Sequence, residues 1–275
     1  VGSPDASLDP DAEVGPLEPD ASLDPDAAPP AQLNSDDVVV RYFADDAPAG
    51  SDVDQLADAV DPGLDLDISY DDTASFATVN GHVGLEFTSI TGNAGASISM
   101  QGTKLRDALN QSTRATIELV FDMPDPSNFS RLFHIGQGTN RGRFSLQAQD
   151  NGSLRYSMND DEKVRWNVDV RQLGRIVVHL VIDTTEAVDV DRSKLYINGT
   201  LITVDQTSNL NQNDGIDIPD QEDLFFFLGN RPAGDRGWVG VLYYAALYSA
   251  PLSEAVVANN AAALSLNDDE ITLGN

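Results

Sequence analysis

Short apolar runs recur along the chain from Val38 onward, each bounded by Gly, Asn, Asp or Pro. They lie at Val38–Phe43, Val83–Ile90, Ser97–Met100, Ala115–Phe121, Arg131–Ile135, Arg143–Ala148 and Leu154–Met158. Further runs follow at Ile176–Asp183, Lys194–Ile197, Leu201–Val204, Leu224–Leu228 and Val239–Tyr248. About a dozen strands at this spacing predict an all-β sandwich or barrel. Val177–Ile182 is nearly unbroken apolar, as a central strand covered on both faces would be. Asp150-Asn151-Gly152-Ser153 and Asn198-Gly199 predict hairpin turns, because Asn-Gly supplies the positive φ such turns need. Two helices interrupt the pattern. Lys104–Leu109 places Leu105 and Leu109 one turn apart, and the alanine-rich Pro251–Leu264 carries Ser253 as its N-cap. No linker composition interrupts Val38–Leu264, so one domain accounts for it.

Before residue 36 the texture differs. The nonapeptide Pro-Asp-Ala-Ser-Leu-Asp-Pro-Asp-Ala occupies Pro4–Ala12 and recurs, identical, at Pro19–Ala27. Up to Asp37 there are eight Asp and two Glu but no Lys or Arg, a net of −10. Proline and like charges extend such a segment, and it has too little apolar surface to offset chain entropy. The expectation is a disordered acidic tether over residues 1–35 and a folded domain over residues 36–275.

Charge sharpens the picture. Across 275 residues, 45 acids face 16 bases, for a net charge of −29. The acids are 36 Asp and 9 Glu; the bases are 13 Arg and 3 Lys. Such a surface repels phosphate backbones, which excludes nucleic acid as a partner. Apolar runs fall far short of the ~18 residues that cross a bilayer, so no direct membrane insertion is expected. With no cysteine there are no disulfides, thiolate metal sites or thiol nucleophiles. No charged-and-apolar leader opens the chain, which fits a processed form or a protein never exported.

Three stretches, in order, carry a family likeness. The first is Leu105–Gln147, where a short helix leads to Ala115–Phe121, Arg131-Leu132-Phe133 and Arg141–Gln147. The second, Val177–Leu201, runs from Val181-Ile182-Asp183 to Lys194-Leu195-Tyr196-Ile197-Asn198-Gly199. The third, Phe226–Val256, has Phe-Leu-Gly-Asn-Arg, then Trp238-Val239-Gly240 and Ala246–Ser253. Together they resemble the laminin-G-like or pentraxin-like branch of the concanavalin A-like lectin/glucanase superfamily. The resemblance implies a jelly-roll β-sandwich of two antiparallel sheets with one or two short helices. The motifs also have packing reasons: Gly240, for one, lets the Trp238 ring and a neighbouring backbone approach closely. Where pentraxins place a calcium cluster after Leu-Gly, this chain has Asn230-Arg231-Pro232-Ala233. Calcium-bridged ligand binding of that kind is therefore not implied.

Catalytic signatures fail in turn. The Glu-x-Asp-x-x-Glu strand of laminarinase-type glycosidases is absent, and its nearest approach, Glu18–Leu23, lacks the last carboxylate. Glu118 and Asp122 share a strand face, but no third acid follows. There is no Gly-x-Ser-x-Gly elbow, no phosphate loop, and no zinc spacing among His82, His134 and His179. Oxygen-rich stretches leave calcium as a weakly signalled ion, with Asp214, Asp217, Asp220 and Asp183 as candidate ligands beside Asn209, Asn211 and Asn213. Two loops concentrate arginine and aromatic residues, Arg131–Arg143 and Asn230–Trp238. They nominate His134, Arg141, Arg143, Arg231, Asp235, Arg236 and Trp238 for contact with a carboxylated or sulfated glycan, or an acidic protein patch. The alternative is packing, with Trp238 plugging the sandwich edge and both loop arginines paired to Asp235. On the ligand reading, replacing Arg231 and Arg236 together abolishes binding and leaves the melting temperature alone.

The expectation for function is a non-catalytic, extracytoplasmic binding or adhesion module for a glycan or cell-surface partner. A divergent glycoside hydrolase or lyase, or a structural module of a surface assembly, stands as the alternative.

Overall fold

In the computed structural model of the chain, which describes residues 32–203, 206–207 and 214–266, the apolar runs become strands. The first six are Val38–Phe43 (β1), Gln55–Leu56 (β2), Leu66–Ser69 (β3), Ala74–Val79 (β4), His82–Phe87 (β5) and Gly95–Ser99 (β6). After the helix Lys104–Leu109 (α1) come Arg114–Pro126 (β7), Ser130–Gly136 (β8), Phe144–Ala148 (β9), Leu154–Met158 (β10) and Asp161–Trp166 (β11). Ile176–Asp183 (β12), Ser193–Ile197 (β13), Thr200–Ile202 (β14), Gln206–Thr207 (β15), Phe225–Leu228 (β16) and Trp238–Tyr248 (β17) follow. Glu254–Leu266 (α2) closes the series.

The strands form two antiparallel sheets. The first runs β14-β13-β12-β7-β17-β5-β4, with β1 also paired to β17; the second runs β15-β11-β10-β9-β8-β16-β6-β3-β2. Pairings between strands distant in sequence, β7 with β17 and β6 with β16, give the jelly-roll character that the resemblance implied. Alternation decides which side chains meet between the layers. Ile117, Leu119, Phe121 and Met123 of β7 point inward, opposite Phe133 and Ile135 of β8 and Phe226 of β16. On β12, Val178, Leu180 and Ile182 join this core, while Val177 and Val181 point outward into a second apolar layer under α2. A helix over the outer face is why β12 shows no alternation in sequence.

Local chemistry accounts for the boundaries. Thr103 caps α1, its hydroxyl accepting from Arg106 N at 3.2 Å, and Ser253 accepts from Val256 N at the start of α2. Asn198 and Gly199 both adopt positive φ, 49° and 76°, closing the β13–β14 hairpin. At the other Asn-Gly only Gly152 is positive, and Gln149 N pairs with Ser153 O across a wider turn. Gly240 sits at φ 144°, where a Cβ would collide with Asp122 O and the Trp238 ring.

The spacer reading needs a shorter end. Residues 1–31 lie outside the described residues. Residues 32–35 belong to the sandwich: Leu33 is buried under α2, Asn34 N donates to Asn260 Oδ1 at 3.0 Å, and Arg41 Nη2 donates to Asn34 O at 2.6 Å.

Candidate functional site

The two outer faces of the sandwich are unlike. That of the first sheet is covered in part by α2 and by residues 32–34. Beneath them Glu118 is fully buried and accepts four hydrogen bonds of 2.7 Å, from His179 Nε2, Asn260 Nδ2 and the hydroxyls of Tyr244 and Tyr248. Arg41 reaches both tyrosine oxygens at 3.0 Å. Burial alone would raise the Glu118 pKa; the His179 hydrogen bond and charge, with the two tyrosine hydroxyls, reverse this and bring it down to about 2. Asp122, on the same face of β7, has its pKa raised by burial.

The outer face of the second sheet carries no helix among the described residues, and strand register arranges its side chains in rows. One row crosses β8, β9, β10 and β11 as Arg131, Gln147, Arg155 and Arg165. The next crosses from β3 to β10 as Asp67, Ser97, Phe227, His134, Ser145 and Ser157. Gln147 ties the rows together: its amide donates to Ser157 Oγ and Ser145 Oγ, and its carbonyl accepts from Arg155 Nε at 2.8 Å. Phe225 and Phe227, half-buried, stand outward with ring centroids 6.2 Å apart.

Above the arginine row the two arginine-bearing loops meet. Arg231 grips Asp235 through two hydrogen bonds of 2.6 and 2.7 Å and donates to Thr139 O and to Asn140 O. Arg131 N bonds to Arg236 O at 2.9 Å, and Arg236 Nη1 to Asn128 O at 2.7 Å. Phe129, at φ 69°, holds its ring under two guanidiniums, Arg155 at 3.7 Å and Arg236 at 5.4 Å. Glu162 pairs with Arg155 and Arg165, and Asp235 with Arg231 and Arg236. Burial, together with Arg231, Arg155 and Arg236, lowers the Arg131 pKa to about 8. Burial and neighbouring guanidiniums bring that of Arg155 to about 10, against the pull of Glu162.

The residues nominated by sequence fare differently. Trp238 is buried, packed at 5.0 Å from Phe87 and 6.3 Å from Phe121, so it offers no ring face to a ligand. Arg231 is a clasp between loops, and its pairing with Asp235 is the packing alternative; its loss would loosen both loops rather than leave the fold untouched. His134 is wholly enclosed beside Gly136 and Gly142, with burial and then Arg131 and Arg231 pushing its pKa well below the usual histidine range. Arg236 stays partly open, and Arg141 is exposed, its carbonyl accepting from Ser145 and Gln147. Arg143 lies apart, paired with Asp160 and Asp217. The oxygen ligands do not assemble: Asp217 faces Arg143, Asp220 faces Arg106 and Asp183 faces Arg114, while Asp214 is exposed. Among the described residues no three His, Cys, Asp or Glu come together as a metal site, and Asn209, Asn211 and Asn213 lie outside them. The sequence reading passed over Phe129, Gln147, Arg155 and Arg165. The alternation Leu154-Arg155-Tyr156-Ser157-Met158 was the available signal, for it points Arg155 away from the core.

The laminin G 3 family model, described as the concanavalin A-like lectin/glucanases superfamily, matches residues 94–258. No curated protein matches the sequence. Among solved structures, Trypanosoma rangeli sialidase is 15% identical with a TM-score of 0.56, covering 86% of this chain and 34% of its own. The binding domain of botulinum neurotoxin serotype D/C is 13% identical with a TM-score of 0.51, covering 84% of this chain and 53% of its own. The chain thus spans about a third of the sialidase and half of the toxin domain, and at these identities the likeness is one of fold.

Proposed function

This chain belongs to the concanavalin A-like lectin/glucanases superfamily, and from that premise we propose that it is a non-catalytic, extracytoplasmic module that holds a glycan on the outer face of its second sheet. The asymmetry of the sandwich carries the reading. One outer face is covered over Glu118 by α2 and residues 32–34; the other, with no helix on it among the described residues, sets the half-buried Phe225 and Phe227 beside Ser97, Ser99 and Asp67. Aromatic rings stack on the apolar faces of sugars while neighbouring hydroxyls and carboxylates fix orientation.

The state of Glu118 supports the absence of catalysis. Glycosidases flank the scissile bond with two carboxylates, one of them a proton donor, on a cleft that admits substrate. Glu118 is shut under α2, held ionised, and saturated with donors. The extracytoplasmic setting draws its support from the acidic repeat and from the sparse lysine of a strongly hydrated surface.

A glycan array probed with the whole chain, with and without calcium, tests this. Binding that falls at least ~10-fold in Phe227→Ala, without loss of folding, is the expected result. Silence across the array would overturn the glycan reading, and release of reducing ends from a bound polysaccharide would overturn the non-catalytic one.

A further inference from the structure

If the second sheet holds a glycan, one residue narrows the ligand further. Arg131 is 2% exposed. Its Nη1 donates to Phe129 O at 2.8 Å and its Nη2 reaches Asn140 O only at 3.4 Å, while Nε is buried with no acceptor. Among the described residues no carboxylate lies within ion-pair distance of it; three cations, Arg155, Arg231 and Arg236, act on it against one more distant carboxylate, Asp235, itself gripped by Arg231. Elsewhere the chain matches arginines with acids as a rule: Arg114 with Asp183, Arg171 with Asp169, Arg192 with Asp189. With 45 acids to draw on, the shortage of carboxylate at Arg131 is a property of the place, not of the composition.

Two further observations converge there. Six arginines (131, 141, 155, 165, 231 and 236) meet at this end of the face, and the carboxylates of Glu162 and Asp235 pair with four of them. Phe129 is a bulky residue held at φ 69°, a strained conformation of the kind that clusters at functional sites, and it sets Arg155 and Arg236 against its ring. A guanidinium keeps its proton in proteins, and here burial first, then Arg231, Arg155 and Arg236, outweigh the pull of Asp235, so the Arg131 charge stands buried among other cations. An arriving anion would relieve it.

We propose that the end of the second sheet framed by Arg131, Arg155, Arg165 and Arg236 is an anion subsite, and that the glycan is an acidic polysaccharide whose carboxylate or sulfate groups it takes. Phe129 is a positioning residue that spaces two of these guanidiniums. The more open Arg165 and Arg236 make the first contact, and the buried Arg131 supplies the attraction behind them.

Calorimetric titration of the whole chain tests this with four probes: heparin, polygalacturonate, neutral dextran and polyglutamate. The acidic polysaccharides are expected to bind more tightly than dextran, and Arg165→Ala and Arg236→Ala each to weaken them about ten-fold. Arg114→Ala, at the Asp183 pair on the first sheet, is expected to leave binding unchanged. Melting curves establish that each variant folds, and the two partly open arginines carry the test should Arg131→Gln unfold the chain. Dextran binding as tightly as heparin, with Arg165→Ala silent, would overturn the anion subsite and leave the glycan reading intact. Absence of binding by any polysaccharide would overturn both. Polyglutamate binding as tightly as heparin would reassign the subsite to acidic protein.

Discussion

Glu118 shows what one buried charge does to this fold. His179, Tyr244 and Tyr248 hold its pKa down against burial, and Asn260 donates to it as well. Since its pKa is depressed from 4.5 to about 2, ionisation contributes stability above about pH 4.5, and that contribution is lost as pH falls toward 2. Urea titrations at pH 7 and pH 3 are expected to show the loss, and Glu118→Gln to flatten that dependence. Breaking the buried cluster with Glu118→Leu is expected to cost about 3–5 kcal/mol at pH 7. A second residue-scale expectation concerns Gly240. At φ 144°, with Asp122 O where a Cβ would stand, Gly240→Ala is expected to lose ~1–3 kcal/mol by chemical denaturation. An unaltered midpoint there would contradict the close approach.

Among the elements, the short segment before β1 has the largest unlooked-for role. Leu33 packs under α2 and Asn34 bridges α2 to Arg41, so a chain beginning at residue 36 is expected to melt several degrees below one beginning at residue 32. Equal melting temperatures would make those contacts incidental. Proline and aspartate density hid this in the sequence, because one leucine amid acids gives no periodic signal. Strong runs were legible: β10 and β12 appear with the boundaries read from the sequence, and α1 coincides with Lys104–Leu109. Asp161–Trp166 escaped because its first three positions, Asp161, Glu162 and Lys163, are charged, although Val164 and Trp166 reach the core. The site was legible only as two arginine-rich loops. That they meet over Arg155 and Arg165 depends on which strands pair and in what register, and one strand's alternation does not encode its partner.

At the scale of the molecule, charge and shape act together. A net charge of −29 repels itself, so the melting temperature is expected to rise as sodium chloride goes from about 0.01 to about 0.5 M and the Debye length shrinks. Over the same range acidic-polysaccharide binding is expected to weaken, because the arginine end works by attraction. A fall in melting temperature would show that paired charges outweigh the repulsion. The position of α2 has a practical corollary. Asn259 of α2 donates to Gln32 O, so the first described residues and the last helix lie together on the first sheet, behind the layer that bears the arginines. Coupling at residue 32 or at the end of α2, whether to a sensor chip, a bead or a fusion partner, attaches the domain on the side of the first sheet, away from the arginines. Immobilisation through lysine is less uniform, since Lys104, Lys163 and Lys194 lie on separate parts of the fold and Lys163 belongs to the second sheet itself.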